Sequence, residues 1–211
     1  EAADPGGWRG FAYLRLHGSP RMYWTAYEPA RLDLVAEQMR EVAVDGAPAS
    51  YIKDVNKNGN IESGDKVYVY FGMRRGGQSY YALDVSDPDE PRILWKINKN
   101  DAGGDFAELG ETWSTPRVAT MLVDGSNTPT PVLIFGGGYD NNKDASHEHH
   151  AGVNAVGTDD SQGNAIFIVH AETGALIWKA VKGTTAGYTS STKAYTHPGL
   201  VDSIPSDIAV V

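Results

Sequence analysis

The sequence has no cysteine. That absence removes thiol nucleophiles, zinc–thiolate sites, iron–sulfur clusters and disulfides, and it leaves the compartment open because an exported protein can do without the residue. Clustered positive charge is equally scarce: 18 Lys and Arg face 27 Asp and Glu for a formal charge of −9, and the pair Arg74-Arg75 is the longest basic run. This argues against nucleic acid as a partner, since the phosphate backbone demands concentrated cationic side chains. Long apolar runs are missing too. The longest, such as Ile204 to Val211, falls far short of the roughly 20 residues a membrane-spanning helix requires. The Ser, Asp and His residues form no nucleophile motif with an assembled base, so no triad can be argued.

What the chain does contain is glycine, proline and aromatics: 24 Gly and 11 Pro, with Tyr the commonest aromatic at 11, in 211 residues. With little helical periodicity, this composition predicts an all-β body of short strands and tight turns. One amphipathic helix is expected between Pro29 and Val42, where Leu32, Val35, Met39 and Val42 recur on one face. Position 1 is Glu, and Ile204 to Val211 reads as a strand still in progress, so the expectation is a piece of a longer polypeptide.

Internal repetition organises the rest. Val67-Tyr68-Val69-Tyr70-Phe71-Gly72 leads into Tyr80-Tyr81-Ala82-Leu83-Asp84-Val85 and then Ile93-Leu94-Trp95-Lys96. The pattern returns as Val132-Leu133-Ile134-Phe135-Gly136, Ala165-Ile166-Phe167-Ile168-Val169-His170-Ala171 and Leu176-Ile177-Trp178-Lys179. Ser114-Thr115-Pro116-Arg117 repeats in step as Ser203-Ile204-Pro205-Ser206. A recurring unit of four short strands closing on tryptophan is the pattern of a β-propeller blade, which buries its faces only against neighbouring blades. The predicted fold is therefore all-β, a partial β-propeller of about two four-stranded blades from a larger ring, with a short N-terminal helical segment. Residues 1–50 form the N-terminal segment, and residues 51–211 form an incomplete propeller that depends on the remaining blades of the same polypeptide.

The most chemical motif is Asp54-Val55-Asn56-Lys57-Asn58-Gly59-Asn60-Ile61-Glu62-Ser63-Gly64-Asp65. It fits a twelve-position calcium loop, with oxygen side chains at positions 1, 3, 5, 9 and 12, glycine at 6 for the sharp turn and a β-branched residue at 8. Asp54, Asn56, Asn58 and Asp65 are the expected direct ligands, Asn60 through its backbone carbonyl and Glu62 through water. Position 12 is an aspartate rather than a bidentate glutamate, and a strand follows rather than a helix. The loop thus resembles a dockerin-like loop more than a helix–loop–helix sensor; an Asn- and Gly-rich turn without an ion is the alternative. His147, Glu148, His149 and His150 suit a solvated insertion better than a transition-metal site. Asp140, Asn142 and Asp144 offer at most a poorly defined second cation site. Gly136-Gly137-Gly138 reads as a turn or bulge, and Arg74-Arg75 as a hairpin tip.

A family resemblance lies in the same units. Val44-Asp45-Gly46-Ala47-Pro48, the string Gly64 to Gly77 with Gly72-Met73-Arg74-Arg75-Gly76-Gly77, and Tyr80 to Ser86 resemble the C-terminal propeller of the PilC/PilY family. Leu109-Gly110-Glu111-Thr112-Trp113-Ser114-Thr115-Pro116-Arg117, Phe135-Gly136-Gly137-Gly138-Tyr139-Asp140 and Ser203-Ile204-Pro205-Ser206-Asp207 extend the likeness. The resemblance implies a type IV pilus biogenesis factor and tip-associated adhesin of Gram-negative bacteria. It also implies export to the cell surface, minor pilins and the pilus tip complex as partners, a host-cell or surface receptor, and calcium at the Asp54–Asp65 loop. A quinoprotein dehydrogenase propeller is the competing class, because Thr173-Gly174-Ala175-Leu176-Ile177-Trp178 also resembles blades of pyrroloquinoline-quinone enzymes. The absence of the adjacent-cysteine disulfide weighs against it, and the expectation is a protein that is not an enzyme.

Overall fold

A computed structural model describes residues 46–123, 125–143 and 159–210. Its regular structure is almost entirely strand, in two sheets. The helix expected at Pro29–Val42 and the histidine cluster His147–His150 lie outside the described residues.

The first sheet is an antiparallel meander of β1 (Ala49–Lys53), β2 (Lys66–Gly72), β3 (Ser79–Asp84) and β4 (Arg92–Asn98) in spatial order 1-2-3-4. Its strands follow from short runs rich in β-branched and aromatic residues, interrupted by turn-forming Gly, Asn and Asp. Tyr70 sits opposite Ala82 and Ala82 opposite Trp95, whereas Val69 sits opposite Leu83 and Leu83 opposite Ile93. The pleat therefore sends the first set to one face and the second to the other.

The second sheet begins with the same meander: β5 (Arg117–Leu122), β6 (Pro129–Gly136), β7 (Ala165–His170) and β8 (Leu176–Lys182). It does not stop there. β9 (Gly187–Thr189) and β10 (Ala194–His197) add a short hairpin on the far edge, β10 running parallel to β8, so this sheet has six strands in order 5-6-7-8-10-9. The expectation of two four-stranded units is corrected at this point. The added strands are short, polar and Gly- or Thr-rich, so their pairing comes from the waiting edge of β8 rather than from any periodic signal of their own. The strand expected at Ile204–Val211 is also corrected, because Ile204 makes a single bridge to Gly138 and residues 205–210 form no strand.

The core lies between the sheets. Tyr70, Tyr80, Phe135, Phe167, Leu133 and Val169 are fully buried there, each contributing roughly 1.5–3 kcal/mol through removal of apolar surface from water. Tyr80 packs on Phe135 with centroids 4.2 Å apart, and its hydroxyl donates to the Ser114 carbonyl at 2.7 Å. Trp95 crosses from the first sheet to donate its Nε1–H to the Ala171 carbonyl at 2.9 Å in the β7–β8 turn. The opposite face of the first sheet is apolar as well, carrying Val67, Val69, Phe71, Tyr81 and Leu83 half-buried, with Ile52 and Ile93 exposed. On the second sheet the corresponding outer face carries Ile134, Ile168 and Trp178.

Candidate metal centre

The loop Asp54–Asp65 is the connection of the β1–β2 hairpin, closed at its base by the pair Lys53 and Lys66. Like charges directly opposite on a ladder repel, and each lysine finds an acid elsewhere: Lys53 meets Glu172 of the second sheet at 3.3 Å and Lys66 lies 4.0 Å from Asp84.

Two carboxylates organise the loop from inside. Asp54 Oδ1 accepts from the backbone N–H of Lys57 at 2.6 Å and of Asn58 at 3.3 Å, and Oδ2 accepts from Gly59 at 2.7 Å. These donors, the Gly59 amide foremost, hold the Asp54 carboxyl below the usual carboxylate range because they stabilise its charged form. Gly59, at φ +81, and Lys57, at φ +59, both occupy the left-handed region, which lets successive N–H groups turn toward one carboxylate. Asp65 is buried. Its Oδ1 accepts from Val55 N–H at 2.9 Å and its Oδ2 from Glu62 N–H at 3.0 Å, which ties the two ends of the loop together. Asn56 Oδ1 accepts from Asn58 N–H at 3.1 Å and Asn58 Oδ1 from Asn60 N–H at 2.7 Å. Glu62 Oε1 receives the side-chain amides of Asn56 and Asn58.

All six expected residues thus sit in one hydrogen-bonded loop, Asn60 taking part through its backbone. Among the described residues no group of three or more His, Cys, Asp and Glu side chains is gathered as a metal site. A cation here would draw on amide and backbone oxygens beside Asp54, Glu62 and Asp65. The donor set fits a hard cation on chemical grounds: a carboxylate offers about four lone-pair positions, of which Asp54 uses three and Asp65 two. An Asn amide that turns about χ2 exchanges its N–H for an oxygen toward the same point.

The other candidates separate. Asp140 is fully buried and saturated by protein donors: Oδ1 accepts from the backbone and side-chain N–H groups of Asn142, and Oδ2 from Ser161 N–H at 2.7 Å and Ser161 Oγ–H at 3.1 Å. It braces a loop rather than awaiting an ion. Gly137 and Gly138 allow close backbone approach, with Gly138 N–H donating to the Ile204 carbonyl at 3.0 Å. The guanidinium carbons of Arg74 and Arg75 lie 5.5 and 5.8 Å from the centre of the Trp113 ring, so the pair is stacked on an aromatic rather than free at a hairpin tip. Sequence reading missed this platform because Trp113 is 38 residues beyond Arg75 in the chain.

No protein-family model matches the chain. A stretch of 47 residues is 45% identical to a type IV pilus biogenesis factor PilY1 homolog of Xylella fastidiosa, covering 22% of this chain and 4% of that protein. Over that stretch the chain is similar to a PilY1 homolog. Among solved structures, the Pseudomonas aeruginosa PilY1 C-terminal domain aligns with 81% of this chain and 30% of its own length, at 20% identity and a TM-score of 0.42. The chain therefore spans a small part of its PilY1 relatives' length.

Proposed function

We propose that this chain is a calcium-binding β-propeller module of a type IV pilus assembly protein and tip-associated adhesin, exported to the cell surface, and that it is not an enzyme. The observation that carries the calcium reading is the loop itself. Asp54 and Asp65 gather backbone N–H groups at positions 1 and 12, while Asn56, Asn58 and Glu62 converge between them. Asp54, Asn56, Asn58, the Asn60 carbonyl, Glu62 and Asp65 are the groups that would hold the ion. When bound, calcium supplies charge neutralisation for three carboxylates and a cross-link between the end of β1 and the start of β2. The chain's own part is positional: buried Asp65 anchors that junction immediately before β2.

The propeller reading is supported by sheets that are apolar on both faces, which single-layer or two-layer packing leaves half exposed. The pilus reading is supported by the PilY1 relationship, and with it come minor pilins, the tip complex and a surface receptor as partners in extension, retraction, twitching and adhesion. Calorimetric titration tests the ion. The parent chain should bind calcium with a Kd on the order of 10⁻⁵ to 10⁻³ M, and Asp54→Ala should abolish the heat while Val55→Ala keeps it. Unchanged binding in Asp54→Ala and Asp65→Ala would remove the loop assignment. A strain carrying both substitutions, scored for surface pili and twitching beside a deletion strain, tests the link to the pilus. Normal piliation and motility without calcium binding would reduce the ion to a structural role. A dye-linked alcohol oxidation assay is expected to show no turnover; activity would revive the quinoprotein alternative.

A further inference from the structure

A crevice of about 460 Å³ opens on the seam between the two sheets, lined by Gly77, Gln78, Asn98, Glu111, Asn141, Asn142 and Gln162. We propose that this crevice binds a neutral carbohydrate, a pyranose unit held by side-chain amides and the Glu111 carboxylate. Its volume lies within the roughly 300–1,000 Å³ of small-molecule sites, and the chemistry of its walls decides the class of ligand. Glycine apart, every lining residue carries an amide or a carboxylate, and no aliphatic side chain contributes. An apolar ligand would leave these amides and the carboxylate unpaired. An anion would meet Glu111 in a chain of net charge −9. A metal ion would find one carboxylate in the lining, since both oxygens of nearby Asp140 are already taken by Asn142 and Ser161. A polyol, whose hydroxyls donate and accept at once, matches groups that do the same.

The groups are fixed from behind rather than left to solvent. Gln162, almost fully buried, receives Gln78 Nε2–H at 2.8 Å and also the Lys99 ammonium, and it donates its own Nε2–H to Asn141 Oδ1 at 2.8 Å. Asn141 Nδ2–H donates to Glu111 Oε1 at 3.1 Å, and Glu111 Oε2 accepts from Trp113 Nε1–H at 3.3 Å. Buried Asp140 holds Asn142 in place through its backbone and side-chain N–H groups. The network runs from the β2–β3 connection of one sheet to the β6–β7 connection of the other, joining residues 84 positions apart. It leaves Glu111 with about two of its four lone-pair positions to offer. Pre-set polar groups of this kind bind without first being ordered, which is where affinity for small polar ligands is otherwise lost.

The test is saturation-transfer NMR on the full chain with methyl glycosides of glucose, mannose, galactose and N-acetylglucosamine, followed by titration of whichever responds. At least one should give saturable transfer. Glu111→Gln, which keeps shape and removes the charged acceptor, should weaken it about tenfold, and Asn142→Ala should weaken it as well. Thr128→Ala, in the distant β5–β6 turn, should leave it unchanged. Glu111 is half-buried, so its variant is expected to fold even where Gln162→Leu does not. No transfer from any of the four glycosides, or equal titrations for the parent, a folded Glu111→Gln and Asn142→Ala, overturns the proposal. Because the calcium titration probes the β1–β2 loop separately, failure here leaves the calcium reading standing.

Discussion

Adding one methyl group at Gly174 should reveal how tightly the two sheets are packed. Gly174 lies in the β7–β8 turn at φ +69, and a Cβ built on it would stand 2.9 Å from Cδ2, 3.1 Å from Cγ and 3.2 Å from Cε3 of Trp95. The indole cannot easily withdraw. It stacks on Tyr70 with centroids 5.9 Å apart and is tethered by its Nε1–H to the Ala171 carbonyl. Two costs therefore combine in Gly174→Ala. The left-handed backbone costs about 1 kcal/mol for a residue with a Cβ, and overpacking against a fixed ring costs about 1–3 kcal/mol more. A total near 3 kcal/mol corresponds to a fall in Tm of roughly 6–12 °C for a chain of this size. Gly104→Ala supplies the control: its φ is +72, yet no atom lies within 4 Å of the added Cβ. It should lose the backbone part alone, roughly 2–4 °C. Thermal denaturation followed by circular dichroism measures both. Equal shifts for the two variants would mean that Trp95 does not sit against this turn, and the packing of the sheets would have to be redrawn.

Tyr70 and Tyr80 offer a second contrast, because among the described residues the buried Tyr70 hydroxyl has no hydrogen-bond partner while that of Tyr80 donates to the Ser114 carbonyl. Tyr70→Phe should therefore stabilise the chain by about 1 kcal/mol and Tyr80→Phe destabilise it by about 1–2 kcal/mol in urea unfolding; the reverse order would refute the assignment. Burial raises the ionisation of both phenols far beyond the ordinary tyrosine range, so neither should titrate spectroscopically before the chain unfolds in alkali. Asp54 provides the acid-side counterpart. Its carboxyl is depressed in the folded loop, so the order it confers is present above the unfolded value near 3.9 and lost as pH falls through the lower folded value. The Gly59 amide resonance should titrate with a midpoint below the ordinary aspartate value, and a midpoint above it would break the link to Asp54. If calcium binds the folded loop alone, a hundredfold excess over Kd should add about 2.7 kcal/mol to stability, read as a rise in Tm that Asp65→Ala removes.

Much of the fold was legible because strand periodicity is a local property. The Val67–Gly72 and Val132–Gly136 runs, and their partners through Trp95 and Trp178, appear as β2 to β4 and β6 to β8. The internal hydrogen bonding of the Asp54–Asp65 loop was legible for the same reason: its six residues lie within twelve positions, and its hydrogen bonds join residues no more than ten apart. What stayed hidden is non-local. The β9–β10 hairpin exists because β8 offers an open edge, and the crevice exists because Gln78 meets Gln162 only after the sheets pack. Asp140 reads as a stray acid in a polar loop until its four donors are assembled around it.

The repeat carries one more consequence, for Trp178. Trp95 lies in the middle of the fourth strand of the first sheet and is buried because the turn around Ala171 and Gly174 of the second sheet covers it. Trp178 holds the equivalent place in the second sheet, opposite Ile168 on the outer face, and is only half-buried. If the sheets are successive units of one ring, Trp178 is built to meet the corresponding turn of a further unit. In this chain alone, Trp95→Ala should then cost about 3–5 kcal/mol, the usual loss for a buried aromatic. Trp178→Ala should cost less, about 1–2 kcal/mol, since the side chain is only half-buried. In a longer polypeptide carrying the next unit, the Trp178→Ala cost should rise toward that of Trp95→Ala. Urea unfolding of both variants in both lengths reads the difference directly. A Trp178→Ala cost that stays unchanged in the longer polypeptide would mean that the outer face of the second sheet is not a blade interface, and the propeller reading would fall with it.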